Sequence, residues 1–362
     1  MRDVAVRAGV GVGTVSRVVN GGASVRPVTA ERVQRAIEEL GFQRNDVARA
    51  LRPGMTSTTI ALLIGNLANP FYAAIAKSVL DVARAAGYAV MVSSVDEDAE
   101  SEKRAVRELF SRRIAGMMLV PVRRDNGFLQ RAHRSDTPIV LIDRPAQGVE
   151  NDAVVIDNDR GGFLATAHLI AHGHRRIAML VAPSYYTTGQ RANGYRRALR
   201  AAGLALDPSL VVTLEVGTVE AARVATVDLL GRRDRPTAVF ATTNFVCEGT
   251  LRAMHAVGCQ LAVVGFDDFR LADFLPVPAT VVTPDADELG RRATELLLRR
   301  VAGDRGPARR EVVPVRLVER GSGELDPPGR DAQPARPRPA SPRRSVRAVD
   351  RGGVVRDHGR RT

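Results

Sequence analysis

The feature that most limits the fold is an alternation running from about residue 59 to residue 318. Nearly continuous apolar runs, such as TIALLI (59–64), MMLVPV (117–122), PIVLID (138–143) and TAVFAT (237–242), are separated by segments with helical apolar spacing. Strands of a parallel sheet are covered by helices on both faces and so read as unbroken apolar runs. Further strands are expected at 88–93, 153–157, 176–181, 211–214, 261–266 and 311–318. Helices are expected at 71–86, 98–113, 160–172, 189–202, 219–230, 244–257 and 285–301. This is too much for one small sheet, so the run divides near residue 157. One lobe takes about 59–157 plus 284–305, and the other about 158–283 plus 306–322. The helix at 285–301 and the last strand cross back between them. Ligands should sit in the cleft, outside the carboxyl ends of the strands.

Residues 1–44 are of a different kind. Val4, Ala5 and Ala8 share one face of a helix over 2–8, which Gly9 can end in a left-handed conformation. A second helix over about 13–20 turns Val15, Val18 and Val19 inward and Thr14, Ser16 and Arg17 outward. A third has Thr29 as its expected N-cap, a stripe of Val33, Ala36, Ile37 and Leu40, and Gly41 as its stop. Two short helices joined by a glycine-containing turn make a helix-turn-helix, whose second helix enters the major groove. GVGVGT (9–14) looks like a dinucleotide fingerprint but lacks the third glycine and the preceding strand.

Charge placement agrees with this division. Residues 1–52 carry nine Arg against five acids and residues 326–362 ten Arg against four, leaving +3 of the net +13 for the core. Basic ends suit phosphate, and a near-neutral middle suits an uncharged ligand. The 45–58 segment, NDVARALR followed by Pro53-Gly54, reads as a short helix and linker. A helix this short is marginal alone and can act as a switch. Residues 323–362, rich in Arg, Pro, Gly and Ala, read as a disordered basic tail.

The strings DVA…AGV…TVSRVVNG and T..RV..AIEELGF..N..AR.LR resemble the head of a LacI/GalR-family bacterial transcription regulator, and the resemblance extends over about residues 1–322. It implies an α/β fold, with an all-α head on a two-lobed periplasmic-binding-protein-like core. It also implies a cytoplasmic homodimer, with a tetramer as the alternative, that binds double-stranded operator DNA. A small metabolite, a sugar by family habit, would release it. On the DNA side the candidates are Val12, Thr14, Ser16, Arg17, Asn20, Arg44, Asn45, Arg49 and Leu51. Arg17 can read guanine, Val12 can touch a thymine methyl, and Leu51 matches the family's minor-groove wedge. On the effector side they are Phe71 and Tyr72, Asp143 and Arg144 (read as an exposed pair), Arg191, Asn244 and Asp268. The Asp267-Asp268 pair offers one aspartate to the ligand and one to a helix cap, and the choice stays open.

Several positions depart from the family pattern. Met1 falls inside helix 1, so the usual Thr cap is expected upstream of it. Gly11 and Gly13 stand where base-reading side chains are usual. Arg44 replaces Pro, Thr243-Asn244 replaces Asn-Asp, and the loop before LAVVGF is about four residues short. HLIAHGH resembles metal spacing but has no fourth ligand of a suitable type. With Cys247 and Cys259 the only cysteines and no CxxC, neither a disulfide framework nor a metal knuckle is expected. No cofactor is expected, and no catalytic triad can be placed, so the chain is not read as an enzyme. No basic-then-apolar leader opens it, and no apolar run reaches membrane length. The alternatives weighed are a periplasmic sugar-binding protein, which would need a signal peptide and no head, and a metabolic enzyme on a doubly wound fold.

Overall fold

The computed structural model describes residues 1–19, 25–42, 57–122, 127–129, 137–146, 150–182 and 186–327. The head consists of α1 (Arg2–Ala8), α2 (Val12–Val19) and α3 (Pro27–Glu39). Val4, Ala5, Ala8, Val15, Val33 and Ala36 form its small core. Gly9 ends α1 in the left-handed region, at φ 63°. Thr29 does not cap α3. The helix begins three residues earlier because Pro27 supplies a pre-set φ at its first position, and Arg26 is the cap residue. Leu40 is 46% exposed and lies outside the stripe.

The first lobe's sheet uses β1 (Thr59–Ile64), β2 (Ala89–Ser94), β3 (Gly116–Leu119), β4 (Ile139–Asp143), β5 (Asp152–Ile156) and β11 (Arg310–Val313). Their order is β11-β5-β4-β3-β1-β2, all parallel. The second uses β6 (Ile177–Val181), β7 (Val211–Thr213), β8 (Ala238–Ala241), β9 (Ala262–Phe266), β10 (Thr280–Pro284) and β12 (Val315–Val318). Its order, β12-β10-β9-β8-β6-β7, repeats the first, except that β12 runs antiparallel to β10.

The pleat explains the apolar runs. Ile60, Leu62 and Ile64 pack with α4 (Pro70–Ala85) and α10 (Ala286–Val301), while Ala61 and Leu63 face α5 (Ala99–Ser111). In the second lobe Ile177, Met179 and Val181 face α6 (Asn158–Ala171) and α7 (Tyr186–Ala201). Ala178 and Leu180 face α8 (Val219–Gly231) and α9 (Asn244–Val257). Buried on both sides, the central strands β3, β6, β8 and β9 are apolar throughout.

The structure corrects two readings of the core and settles how a shortened loop is accommodated. Strand β11 pairs with β5, so residues 306–313 lie with the first lobe and the last crossing falls between Val313 and Val315. Sequence reading missed this because one apolar run, EVVPVRLV, serves two sheets around Pro314, which lacks the N–H for a continuous ladder. The short loop before β9 leaves the sheet intact, since Gly258 takes a left-handed turn and β9 pairs in register with β8 and β10. Residues 323–327 do not behave as a solvated tail. Glu324 Oε1 lies 2.6 Å from His168 Nε2, and the Leu325 carbonyl lies 2.7 Å from His174 Nε2. His168 and His174 of the HLIAHGH stretch thus tether the end of the core. Residues 328–362 lie outside the described part. Among the described residues, no helix is long and apolar enough to cross a membrane.

Candidate effector cleft and DNA-reading head

The carboxyl ends of the two sheets face each other across a cavity of about 270 Å³, lined by both lobes. Asn69 caps α4 by accepting from Phe71 N at 3.0 Å, which sets Phe71 and Tyr72 on the helix's first turn. Both rings are buried in the first lobe's core and also line the cavity.

Asp143 and Arg144 end β4 and are buried, at 3% and 5% exposure, not exposed as expected. Asp143 takes φ 66°, which ends the strand and turns the chain inward. Their charges are tolerated because they are bonded. Tyr72 Oη donates to Asp143 Oδ2 at 3.2 Å and accepts from Arg144 Nη2 at 2.9 Å. Arg144 also makes a two-pronged pair with Glu97, at 2.7 and 2.9 Å. Burial pushes the Asp143 carboxyl up to about 6, against the opposing pull of Arg144 and Arg191.

The second lobe presents Arg191 from α7. Its Nε donates to Asn158 Oδ1 at 2.9 Å, and its Nη1 donates to the Thr242 carbonyl at 2.7 Å and Asp267 Oδ2 at 3.1 Å. Its guanidinium lies over the Phe266 ring, 3.4 Å from the centroid. The position depends on two glycines where α6 and α7 touch. A Cβ at Gly194 would come within 2.1 Å of the Asp159 carbonyl oxygen, and one at Gly162 within 2.0 Å of that of Arg191.

Asp267, not Asp268, belongs to the cleft. Asp267 ends β9 at φ 66°, as Asp143 ends β4, and burial raises its carboxyl's pKa against the pull of Arg191. The turn points its neighbour elsewhere. Asp268 receives both ends of Arg320, at 2.6 and 2.8 Å, and caps no helix. Asn244 does not open into the cavity. It is 1% exposed, and its Nδ2 donates to Asn69 Oδ1 at 2.9 Å, joining the lobes. Sequence reading missed Glu97, Asn158, Thr218 and Phe245. The rule that ligands meet strand carboxyl ends points to the stretch after β2, where Glu97 lies, but DEDAE there reads equally well as an acidic helix start.

In the head, Arg17 is exposed on α2, with its Nε 3.3 Å from the Gly13 carbonyl. Val12 is exposed, Thr14 and Ser16 are half-buried, and Val15 anchors the helix. A side chain at Gly11 or Gly13 would meet nothing within 4 Å. Asn20, Arg44, Asn45, Arg49 and Leu51 lie outside the described residues.

Comparison with known proteins decides the family. The lacI family of bacterial regulatory proteins matches residues 1–45, and the periplasmic binding protein-like domain matches residues 166–323. The chain is 36% identical to the HTH-type transcriptional regulator CelR of Thermobifida fusca over 332 residues, 88% of this chain and 97% of that protein. The chain belongs to the LacI family. Another member, the ribose operon repressor of Escherichia coli K12, is 32% identical, over 89% of this chain and 99% of its own. The lac repressor dimer bound to operator and the anti-inducer ONPF superposes with a TM-score of 0.80 at 27% identity, covering 89% and 98% of the two chains. The CelR–cellobiose complex gives 0.68 at 34% identity, covering 88% and 98%. These relatives carry the names of transcription regulators, not of enzymes.

Proposed function

We propose that this LacI-family member is a cytoplasmic homodimeric repressor, released from operator DNA when a small neutral sugar binds between its lobes. The observation that carries this reading is the joining of a helix-turn-helix head to a cleft whose buried, polar walls come from both lobes. A ligand there contacts Tyr72, Asp143 and Arg144 on one side and Arg191 and Asp267 on the other, so it favours one lobe arrangement over another. That difference in affinity is what lets a ligand shift the protein between states. The cellobiose bound in the CelR complex supports a sugar.

A two-fold protein reads two-fold DNA. Exposed Leu271 lines an apolar groove of about 860 Å³ beside the end of α9, the kind of surface a second subunit covers. Arg17 carries base reading, Thr14 and Ser16 take phosphates, and the 45–58 segment with Leu51 acts as the hinge.

The test is DNase protection of the DNA upstream of the chain's own gene, with and without a sugar panel. Arg17→Ala is expected to lose about 1–3 kcal/mol on the protected site and little on random DNA. Protection indifferent to every sugar, or equal loss on both DNAs, would count against the reading.

A further inference from the structure

The two arginines of the cleft are held differently. Arg191 is tied by its Nε and Nη1, whereas the Arg144 fork is closed at both nitrogens by the Glu97 carboxylate, and the Pro121 carbonyl takes a further bond at 3.3 Å. Glu97 reaches this place by an uncommon route. It and Asp96 take left-handed backbone angles, φ 58° and 50°, which side-chain-bearing residues rarely adopt. Its carboxylate lies over Gly65, where a Cβ would come within 2.1 Å of Oε1. Two left-handed residues and a cleared glycine make Glu97 a built part of the wall.

The consequence for ligands is chemical. A phosphate or carboxylate binds arginine through the same two-pronged geometry that Glu97 already occupies. The other buried acids add to the exclusion. Asp143 Oδ1 and Asp267 Oδ1 are buried without a hydrogen-bond partner among the described residues. Ionised carboxylates only accept, so these oxygens repel anions and are satisfied by hydroxyl donors. Among the described residues lining the cavity, Asp96, Glu97, Asp143 and Asp267 outnumber Arg144 and Arg191.

We propose that Glu97 is a selectivity residue, the internal counter-ion of Arg144, which confines the cleft to uncharged polyhydroxy ligands and shuts out phosphorylated and acidic ones. This rests on reading the cleft as the effector site. Removing the Glu97 charge frees the Arg144 fork and gives the cleft an anion site.

The experiment is calorimetric titration of the full-length protein with inorganic phosphate, with ribose and with ribose 5-phosphate at constant ionic strength. It compares the wild type, Glu97→Gln, Glu97→Ala, and Glu97→Gln combined with Arg144→Gln. Either single variant is expected to bind phosphate at least about ten-fold more tightly than the wild type, a modest return for one freed charge-assisted pair. Adding Arg144→Gln should erase that gain. A folded single variant with no gain overturns the proposal, and so does a gain that survives Arg144→Gln. Wild-type protein that takes ribose 5-phosphate as tightly as ribose overturns it without any variant. A phosphate gain in protein whose operator binding ignores every sugar upholds the role of Glu97 and sinks only the sugar reading.

Discussion

The two lobes share one strand order, and each ends its fourth-numbered strand position, β4 or β9, on a buried aspartate at φ 66°. Around that common point they differ. In the first lobe the arginine is the aspartate's neighbour in sequence and is paired with Glu97 from the loop after β2. In the second it comes from α7, rests on Phe266 and bonds the aspartate directly. The duplicated topology supplies a place for an acid and a base. The loops decide how each pair is neutralised, and therefore what each lobe offers a ligand.

Arg191→Ala should produce the largest effect. It leaves Asp267 buried without its cation, a loss of about 3–5 kcal/mol for a broken buried pair. Denaturant unfolding should show the second lobe weakened, while the matching change at Arg144 costs less because Glu97, partly exposed, can turn to water and Asp143 keeps the Tyr72 hydroxyl and the pull of Arg191. Equal losses would mean that the two pairs are energetically alike.

Protonation tests the first lobe through Asp143. Folding raises the Asp143 carboxyl from 3.8 to about 6, so the folded chain binds this proton more readily than the unfolded chain. Its ionisation therefore opposes folding above pH 6. That penalty, up to about 3 kcal/mol, fades as pH falls through 6 towards 4. The stability of the wild type minus that of Asp143→Asn, followed across pH 4–8, should carry this slope, because the contribution of Asp267 is common to both. Sugar affinity should fall over the same range, since a protonated oxygen accepts hydroxyls less well.

A smaller change joins the lobes. Asn244→Ala removes the bond to Asn69, so the cleft should open more readily, with sugar affinity altered by about 0.5–1.5 kcal/mol. An unchanged affinity would mean that this bond does not influence closure. Asp268→Asn should do least, because the bond with Arg320 lies away from the cleft and is partly exposed. A stability loss of about 0.2–1 kcal/mol with no change in sugar binding is expected from melting and titration.

The periodic features are legible from the residues alone. Apolar runs gave the strands, helical spacing gave α4 to α10, and the head's Val4, Ala8, Val15 and Val33 are legible because burial repeats with a helical period. Phe71, Tyr72, Asp143, Arg144 and Arg191 were legible as cleft candidates from strand ends and family motifs.

Tertiary structure alone decided the rest. Whether Asp267 or Asp268 enters the cleft turns on one backbone angle. Whether Arg144 is exposed turns on Glu97, which is 47 residues away in sequence. The lobe that receives 306–313 turns on strand pairing around Pro314. Periodicity follows from local geometry, which a chain carries everywhere. Charge pairing and strand exchange follow from which distant residues meet, and only the packed fold brings those together.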